Sequence, residues 1–193
     1  MNIINKILEN KFSREKKTFE NNKQQADFLN YSEIKSVLLL FNIKNDENIG
    51  IYEYLAKILK NDNKKVTLCG FVEQKKSLLP SLQDKIIIKK EEISFWQKPK
   101  KEILDNISAQ NFDAVFLLTA KNSLPVLYAL MHANTKIRCG GIPEPNLLDF
   151  IIDTSNIQFA NETYIFENIV KYLKMINKNQ EPRTKNQDKN AQL

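Results

Sequence analysis

Apolar residues along this chain follow two alternating patterns, short continuous runs and stripes at helical spacing. The runs predict five buried strands and a short sixth one, at residues 36–42, 66–72, 85–89, 114–119, 136–140 and 150–153. The stripes predict helices that begin near residues 46, 99, 123 and 161. Strands that alternate with helical segments of this length form βαβ units. We therefore predict a three-layer Rossmann-like α/β sandwich around a mostly parallel sheet of five or six strands.

The two ends of the chain differ from this body. Residues 2–20 carry apolar side chains at helical spacing and lysines over much of the remaining surface, which predicts a basic amphipathic helix. Residues 178–193 are rich in Lys, Asn, Gln and Pro, and we expect a disordered tail because so few apolar residues cannot offset the entropy of ordering. The predicted organisation is a helical arm with its linker at 1–33, an α/β domain at 34–177 and a basic tail at 178–193.

The positive charge of the chain lies at these two ends. The formal net charge is +6, but residues 36–170 contain 16 basic and 16 acidic side chains. Residues 1–35 contribute +2 and residues 171–193 contribute +4. Lysine outnumbers arginine 26 to 3, a bias that a low-GC coding sequence would also produce. Charge at the ends predicts a weak, salt-sensitive contact with an anionic partner, and the neutral body argues against specific DNA recognition.

The sequence lacks the common catalytic and cofactor motifs. Residues 42–48, which follow the first strand, contain no glycine, which argues against a dinucleotide fingerprint, and no Gly-Lys-Ser/Thr is present to form a P-loop. Cys69 and Cys139 lie in apolar, strand-like surroundings and are interpreted as small core residues. The single histidine, His132, late in a helix, is interpreted as structural. We therefore expect no catalytic residue, no metal site and no cofactor.

A parallel sheet binds ligands at the carboxyl ends of its strands, and several polar residues are predicted there. Asn42 and Phe71 stand at the ends of the first two strands. Lys121 and Asn122 follow the fourth strand at the start of a helix, where an anion is favoured. These four residues are candidates for ligand binding, although Asn122 as a simple helix cap is the structural alternative. The pair Gly140-Gly141 is interpreted as a turn with positive φ.

The most distinctive local sequence is FWQKP at residues 95–99, which contains the single tryptophan. Trp96 and Lys98 are further candidates for a ligand or partner contact, because exposed aromatic rings beside lysines form such contacts. The alternative is a hydrophobic plug that closes one edge of the sheet.

Several segments are distinctive when they are taken together and in order. They are the basic N-terminal helix and residues 37–42 (VLLLFN), 64–72 (KKVTLCGFV), 95–99 (FWQKP), 112–117 (FDAVFL) and 149–153 (DFIID). The set spans most of residues 1–175 and resembles an uncharacterised family of small bacterial proteins, which implies the Rossmann-like fold and transfers no catalytic residue. Residues 112–117 are also similar to the first half of two-domain sugar-nucleotide glycosyltransferases, whose second half normally supplies the nucleotide pocket and is missing from this sequence.

Two functions follow from these observations. The first is a non-enzymatic binding or accessory protein, whose basic ends contact an anionic partner. The alternative is a domain that binds a nucleotide or sugar nucleotide at the carboxyl ends of the strands, as a glycosyltransferase-like enzyme or a remnant of one. The partner in the first case is another protein, a second copy of the chain, or weakly bound RNA or anionic membrane at residues 1–20 and 178–193. The arm itself packs on the body, docks a partner or lies on a membrane.

The apolar runs are too short to span a bilayer. The longest, at 126–131, has six residues, whereas a spanning helix needs about 20. The first residues lack the apolar core and cleavage site of a secretory signal. We expect a cytoplasmic protein, with peripheral attachment at the inner membrane surface as the alternative.

Overall fold

A computed structural model of the protein describes residues 3–119, 123–141, 146–154, 157 and 161–176. Within these residues the chain forms five helices and six strands, in the order α1-β1-α2-β2-β3-α3-β4-α4-β5-β6-α5. The helices are α1 (Ile3–Asn22), α2 (Ile49–Asn61), α3 (Lys101–Ser108), α4 (Leu124–His132) and α5 (Glu162–Met175). The strands are β1 (Ser36–Ile43), β2 (Lys65–Val72), β3 (Lys85–Ile88), β4 (Asn111–Leu117), β5 (Asn134–Gly140) and β6 (Phe150–Ile151).

The six strands form one sheet in the order β3-β2-β1-β4-β5-β6. Every pair of neighbouring strands is parallel. This is the strand order of dinucleotide-binding Rossmann folds. The predicted three-layer α/β sandwich is therefore confirmed, with a sheet that is entirely parallel in the described part of the chain.

Strand β1 lies near the centre of the sheet and is covered on both faces. Val37, Leu39, Phe41 and Ile43 belong to a core shared with α2 and α5. Leu38 and Leu40 belong to a second core, shared with α1, α3 and α4. Successive side chains of a strand point to opposite faces, so a strand covered on both faces has to be apolar almost throughout.

Ring stacking fixes α2 against β1 on the first face. The rings of Phe41 and Tyr52 are parallel within 11°, with their centroids 3.8 Å apart. Gly70 on the neighbouring strand β2 leaves room for this stack, because a Cβ at that position would overlap the Phe41 ring. Leu55 and Leu59 continue the buried stripe of α2. The packing brings the Tyr52 hydroxyl to the carboxyl end of β1.

Helix α1 packs on α4 on the second face. Phe12 is buried, and its ring meets the edge of Tyr128 at a centroid distance of 5.3 Å. Past the helix, Leu29 and Tyr31 are buried in the core of the first face, although the sequence pattern assigns them to the linker. The boundary at residue 33 stays a prediction, and the tail predicted at 178–193 lies outside the described residues.

The prediction for Gly140 and Gly141 is wrong, because neither glycine has a positive φ. Their role is close packing instead. A Cβ on Gly140 would lie 2.9 Å from Leu148 Cδ1, and a Cβ on Gly141 would lie 2.6 Å from Ile165 Cδ1. The missing side chains let the segment before β6 and the start of α5 approach the carboxyl end of β5.

Several predicted boundaries also differ from the structure. Strand β4 covers Asn111–Leu117 rather than 114–119, and β5 begins at Asn134 rather than at residue 136. Helix α3 begins at Lys101 rather than near Pro99, because Pro99 pairs with Ile93 in an isolated antiparallel bridge. The sixth strand is limited to Phe150–Ile151, which pair with the last two residues of β5.

Candidate functional site: a crevice at the carboxyl ends of the strands

The candidate site lies where the direction of winding reverses in the sheet. From β1 the chain passes through α2 on one face to β2, and from β4 it passes through α4 on the other face to β5. These connections leave neighbouring strands in opposite directions, which opens a crevice outside the carboxyl ends of β1 and β4. Open parallel sheets bind their ligands in this place. We call it the switch-point crevice, formed by residues 42–52 and the first turn of α5.

A cavity of about 400 Å³ opens on the α2 side of the crevice. It is lined by Asn42, Lys44, Glu47, Asn48, Ile51, Tyr52 and Glu162. Tyr52 is only 3% exposed and Glu162 is half-buried, so these two side chains form the floor. Lys44, Glu47 and Asn48 are exposed and form the rim. The volume lies in the range of small-molecule sites.

Two larger cavities lie away from the strand ends at which parallel sheets bind ligands. One of about 870 Å³ lies at the amino ends of the strands, where its lining includes Lys65 and Val66 at the start of β2. The lysine at its base, Lys64, already donates to the carbonyl oxygens of Tyr31 and Ile34 at 2.7 and 2.8 Å. The other, of about 610 Å³, lies between residues 93–101, α3 and the end of α4. Position in the fold therefore favours the smaller cavity.

Tyr52 links the cavity to the end of β1. Its hydroxyl donates a hydrogen bond of 2.7 Å to the main-chain oxygen of Asn42. Burial, and then the neighbouring Glu162 carboxylate, raise the pKa of Tyr52 far above its usual value. The hydroxyl therefore stays protonated, its proton is engaged by the Asn42 main-chain oxygen and the Glu162 carboxylate, and only lone pairs of its oxygen remain as acceptors.

Two side-chain amide oxygens near the end of β1 are buried without a partner among the described residues. Asn42 Oδ1 and Asn45 Oδ1 form no hydrogen bond with any part of the chain that the structure describes. Asn42 pairs in register with Phe71, so its side chain lies on the face of the sheet opposite Tyr52. A buried oxygen without a donor destabilises the folded state by about 1–3 kcal/mol. Such a group needs an explanation, and a ligand is one.

Asp46 fixes the shape of the loop between β1 and α2. Its carboxylate accepts hydrogen bonds from Ser77 Oγ at 2.6 Å and from the Leu78 amide at 2.7 Å. The Ser77 bond, and then the Leu78 bond, lower the pKa of Asp46. The loop following β2 is thereby tied to the crevice. Asp46 and Glu47 also place negative charge directly before α2, in the region that a dinucleotide-binding protein leaves open for a phosphate.

The structure places two of the candidate residues predicted from the sequence side by side. Asn42 and Phe71 pair in register on β1 and β2; Asn42 lines the crevice, and Phe71 is 7% exposed in the core of the second face. Lys121 and Asn122 lie outside the described residues. The expected grouping of these residues around one ligand therefore stays a prediction.

Trp96 and Lys98 contact helix α1, and neither lines the 400 Å³ cavity. Lys11 Nζ lies 4.4 Å from the centroid of a Trp96 ring. Lys98 Nζ lies 2.6 Å from Glu15 Oε2. Both contacts hold the arm on the body, and the role of Trp96 and Lys98 toward a ligand stays a prediction.

Two residues at the floor of the cavity, Tyr52 and Glu162, are missing from the sequence-based candidates. Tyr52 fits the apolar stripe of its helix, and its hydroxyl is the one signal that it could do more than pack. Glu162 follows Asn161, whose side chain accepts a hydrogen bond from the Tyr164 amide and caps α5. A glutamate in the first turn of a helix is ordinarily explained by the helix dipole, which masks any other role.

The remaining reactive side chains are held in structural contacts. Burial raises the pKa of Cys69 to about 12 and the pKa of Cys139 further still, so both thiols are protonated at neutral pH. His132 Nδ1 lies 2.9 Å from the Tyr128 carbonyl oxygen. Asp149 pairs with Lys23 at 2.5 Å and accepts from the Arg138 amide. The described residues contain no cluster of three or more His, Cys, Asp or Glu side chains suited to a metal ion.

Among the described residues, no helix has both the length and the apolar character needed to cross a membrane.

Comparisons with known proteins assign no ligand to this site. No curated protein and no solved structure matches the chain. A family model described as a family of unknown function, DUF6913, matches residues 3–176, which include every described helix and strand. The chain therefore belongs to the family of unknown function DUF6913.

Proposed function

We propose that this protein binds a small polar molecule of the nucleotide or sugar-nucleotide class in the switch-point crevice. The observation that carries the proposal is the unpartnered, buried Oδ1 of Asn42 at the end of β1. Its position at the reversal of the sheet is where ligands of parallel α/β proteins bind. A donor group on the ligand supplies the hydrogen bond that the described chain does not.

An apolar replacement of Asn42 separates this role from a structural one. Leucine has a similar branched shape and no polar atom. In Asn42→Leu the cost of the unpaired oxygen disappears, and the ligand-free protein melts about 2–4 °C higher. The same change removes the contact with the ligand. Gain of stability together with loss of binding is the signature of a residue kept for function.

The experiment is a thermal-shift screen of nucleosides, nucleotides, sugars and sugar nucleotides on three proteins. They are the wild type, Asn42→Leu and the control Asn10→Leu, which changes an exposed asparagine on α1. We expect the wild type and the control to be stabilised by the same compound, and Asn42→Leu to be unaffected by it. A wild type that no compound stabilises, or an Asn42→Leu protein that responds equally, would overturn the proposal.

A second candidate function is the contact of the basic ends with an anionic partner. It is supported by the orientation of α1, which buries Phe12 against the body and leaves Lys6, Arg14 and Lys17 exposed. Phe12 on the apolar side packs on Tyr128 of α4 and is not free to enter a bilayer, whereas Ile7 is 46% exposed. This arrangement favours a purely electrostatic contact over membrane insertion.

Reversal of the three exposed charges tests this second function. We compare Lys6→Glu/Arg14→Glu/Lys17→Glu with Lys57→Glu/Lys90→Glu/Lys101→Glu, a control with the same net charge on exposed sites of the body. Retention of single-stranded RNA and of anionic vesicles is measured against salt. The arm variant should lower the salt slope for RNA by about 2, because each lost contact contributes about 0.7. Equal loss in the control would show that the arm has no particular role.

A further inference from the structure

We infer that the ligand enters the 400 Å³ cavity with the hydroxyl groups of a sugar, held by Glu162 and Tyr52, and not with a phosphate. This inference rests on the proposed function and names the part of the ligand that the crevice recognises. A ribose or hexose with two adjacent free hydroxyls fits the requirement.

The floor of the cavity offers hydrogen-bond acceptors to a ligand. The single proton of Tyr52 is taken up by the Asn42 main-chain oxygen and the Glu162 carboxylate, so the phenolic oxygen has only lone pairs left for a ligand. The Glu162 carboxylate, which is hydrogen-bonded to Tyr52, offers its remaining lone pairs as acceptors. A group that enters beside them has to bring donors. Adjacent hydroxyls bring two donors at the spacing of one carboxylate, whereas a phosphate brings acceptors.

The charge of the lining points the same way. The cavity contains two glutamates, Glu47 and Glu162, and one lysine, Lys44. Asp46 and Glu47 also stand directly before α2, where their charge compensates the positive end of the helix. A phosphate at this place would meet carboxylates instead of free amides. Residues 42–48 contain no glycine, so the main chain lacks the close approach that phosphate-binding turns use.

The depth of the site also suits a sugar. Tyr52 is 97% buried and held by its stack on Phe41, so the acceptor at the bottom is rigid. Ile51, which is 40% exposed, gives the rim an apolar surface that can cover one face of a sugar ring. A rigid polar floor with one apolar wall is the usual composition of a small-molecule site.

Matched ligands test the inference. Calorimetric titrations use adenosine, 2′-deoxyadenosine and AMP, the corresponding uridine series, and UDP-glucose. If a ribonucleoside binds, its 2′-deoxy form should bind at least about 10-fold more weakly, because a hydrogen bond to a charged group is lost. The 5′-phosphate should bring no gain in affinity. Inorganic phosphate and pyrophosphate should not compete.

Matched variants identify the residue responsible. Glu162→Gln keeps the shape of the side chain and removes its charge, and the control Glu167→Gln changes an exposed glutamate on the same helix. Thermal melting of each variant first establishes that it is folded. Glu162→Gln should weaken the ribonucleoside about 10-fold and erase the difference from the 2′-deoxy form, and Glu167→Gln should behave as the wild type.

The outcomes separate this inference from the proposed function. Binding that depends on Asn42 but is strengthened by a phosphate, or is unaffected by Glu162→Gln, would overturn the hydroxyl contact and leave the proposed function in place. A wild type that binds no compound of the panel would overturn both. Loss of affinity on removal of the 2′-hydroxyl, confined to proteins that retain Glu162, would establish the contact.

Discussion

Buried polar atoms without a hydrogen-bond partner occur in two regions of the described chain, the switch-point crevice and the underside of α1. They are Oδ1 of Asn42 and Asn45 in the crevice, and Oη of Tyr128 and Nε of Arg138 beneath α1. The crevice adjoins an open cavity, whereas the second pair is covered by Phe12 and Phe19 of the arm. Each unpaired atom destabilises the folded state. A ligand can supply a hydrogen bond to the pair in the crevice, whereas the pair beneath α1 becomes accessible only when α1 moves.

The contacts of α1 explain why it stays in place despite this cost. The guanidinium carbon of Arg138 lies 5.1 Å from the centroid of the Phe19 ring, and its Nη2 atom donates to the Ala133 carbonyl oxygen at 3.0 Å. Apolar burial by Phe12 and ion pairs at the margins offset the unpaired atoms in the middle. Helix α1 thus covers the unpaired atoms beneath it, whereas the crevice adjoins a cavity that a ligand can enter.

The largest effect is expected from Phe12→Ala, which should loosen the contact between α1 and the body and leave the crevice unchanged. Removal of a buried phenyl ring lowers the free energy of unfolding by about 3 kcal/mol. Hydrogen exchange should become faster in α1, while the amides of α2 and α5 beside the crevice keep their protection. Urea unfolding measures the loss, with Phe95→Ala as control, since Phe95 is 67% exposed. Equal loss of protection on both faces would contradict a separable arm.

Tyr128→Phe sharpens the comparison in the opposite direction. It removes a buried hydroxyl without a partner, so the protein should become more stable by about 1 kcal/mol. Asn42→Leu should stabilise to a similar extent, but only Asn42→Leu should lose the ligand-induced thermal shift. Loss of that shift in Tyr128→Phe as well would mean that the two regions are coupled.

A smaller effect is expected when the ion pair at the margin of the arm is removed. Lys98 and Glu15 are each about one-third exposed, so Lys98→Gln should lower stability by less than about 1 kcal/mol. The difference from wild type should shrink as salt is raised, because the pair is partly screened. Urea midpoints at low and high salt measure it. A loss as large as that of Phe12→Ala would show that charge, and not apolar burial, holds the arm.

The smallest effect concerns acid and the crevice loop. Hydrogen bonds from Ser77 and Leu78 lower the pKa of Asp46, so its stabilising contribution is present above the unfolded-state pKa of about 3.9 and is lost as pH falls through the lower folded-state pKa. Asp46→Asn should be slightly less stable than wild type at pH 6, with the difference gone at the acid end. Urea midpoints between pH 2 and pH 6, with hydrogen exchange at residues 73–79, check this. A difference that persists in acid would contradict it.

The fold could be predicted from the sequence because its signals are local. A run such as Leu38, Leu39 and Leu40 has to be a strand buried on both faces, and the helical stripes between such runs leave a parallel sheet as the simplest arrangement. Asn42 could be predicted as a candidate in the same way, since ligands of parallel sheets bind at the carboxyl ends of the strands.

The floor of the crevice and the contacts of the arm could not be predicted, because they depend on packing between distant segments. Tyr52 and Glu162 meet only after α5 has docked on the same face as α2. Lys98 forms an ion pair with the distant Glu15, a contact that no local sequence signal predicts. Gly140 and Gly141 show the same limit: local sequence suggests a turn, and the neighbouring side chains that exclude a Cβ come from elsewhere.

The docking of α1 has a consequence for the order in which the protein is made. Lys23 at the end of the arm donates to the carbonyl oxygen of Leu148, 125 residues further along the chain, and Phe12 packs on Tyr128. Helix α1 therefore leaves the ribosome before α4 and the segment at Leu148, which it contacts, have been made. During that time its apolar side is an unpaired surface of the nascent chain. The duration of this exposure is set by separation in sequence and not by the strength of the final contact.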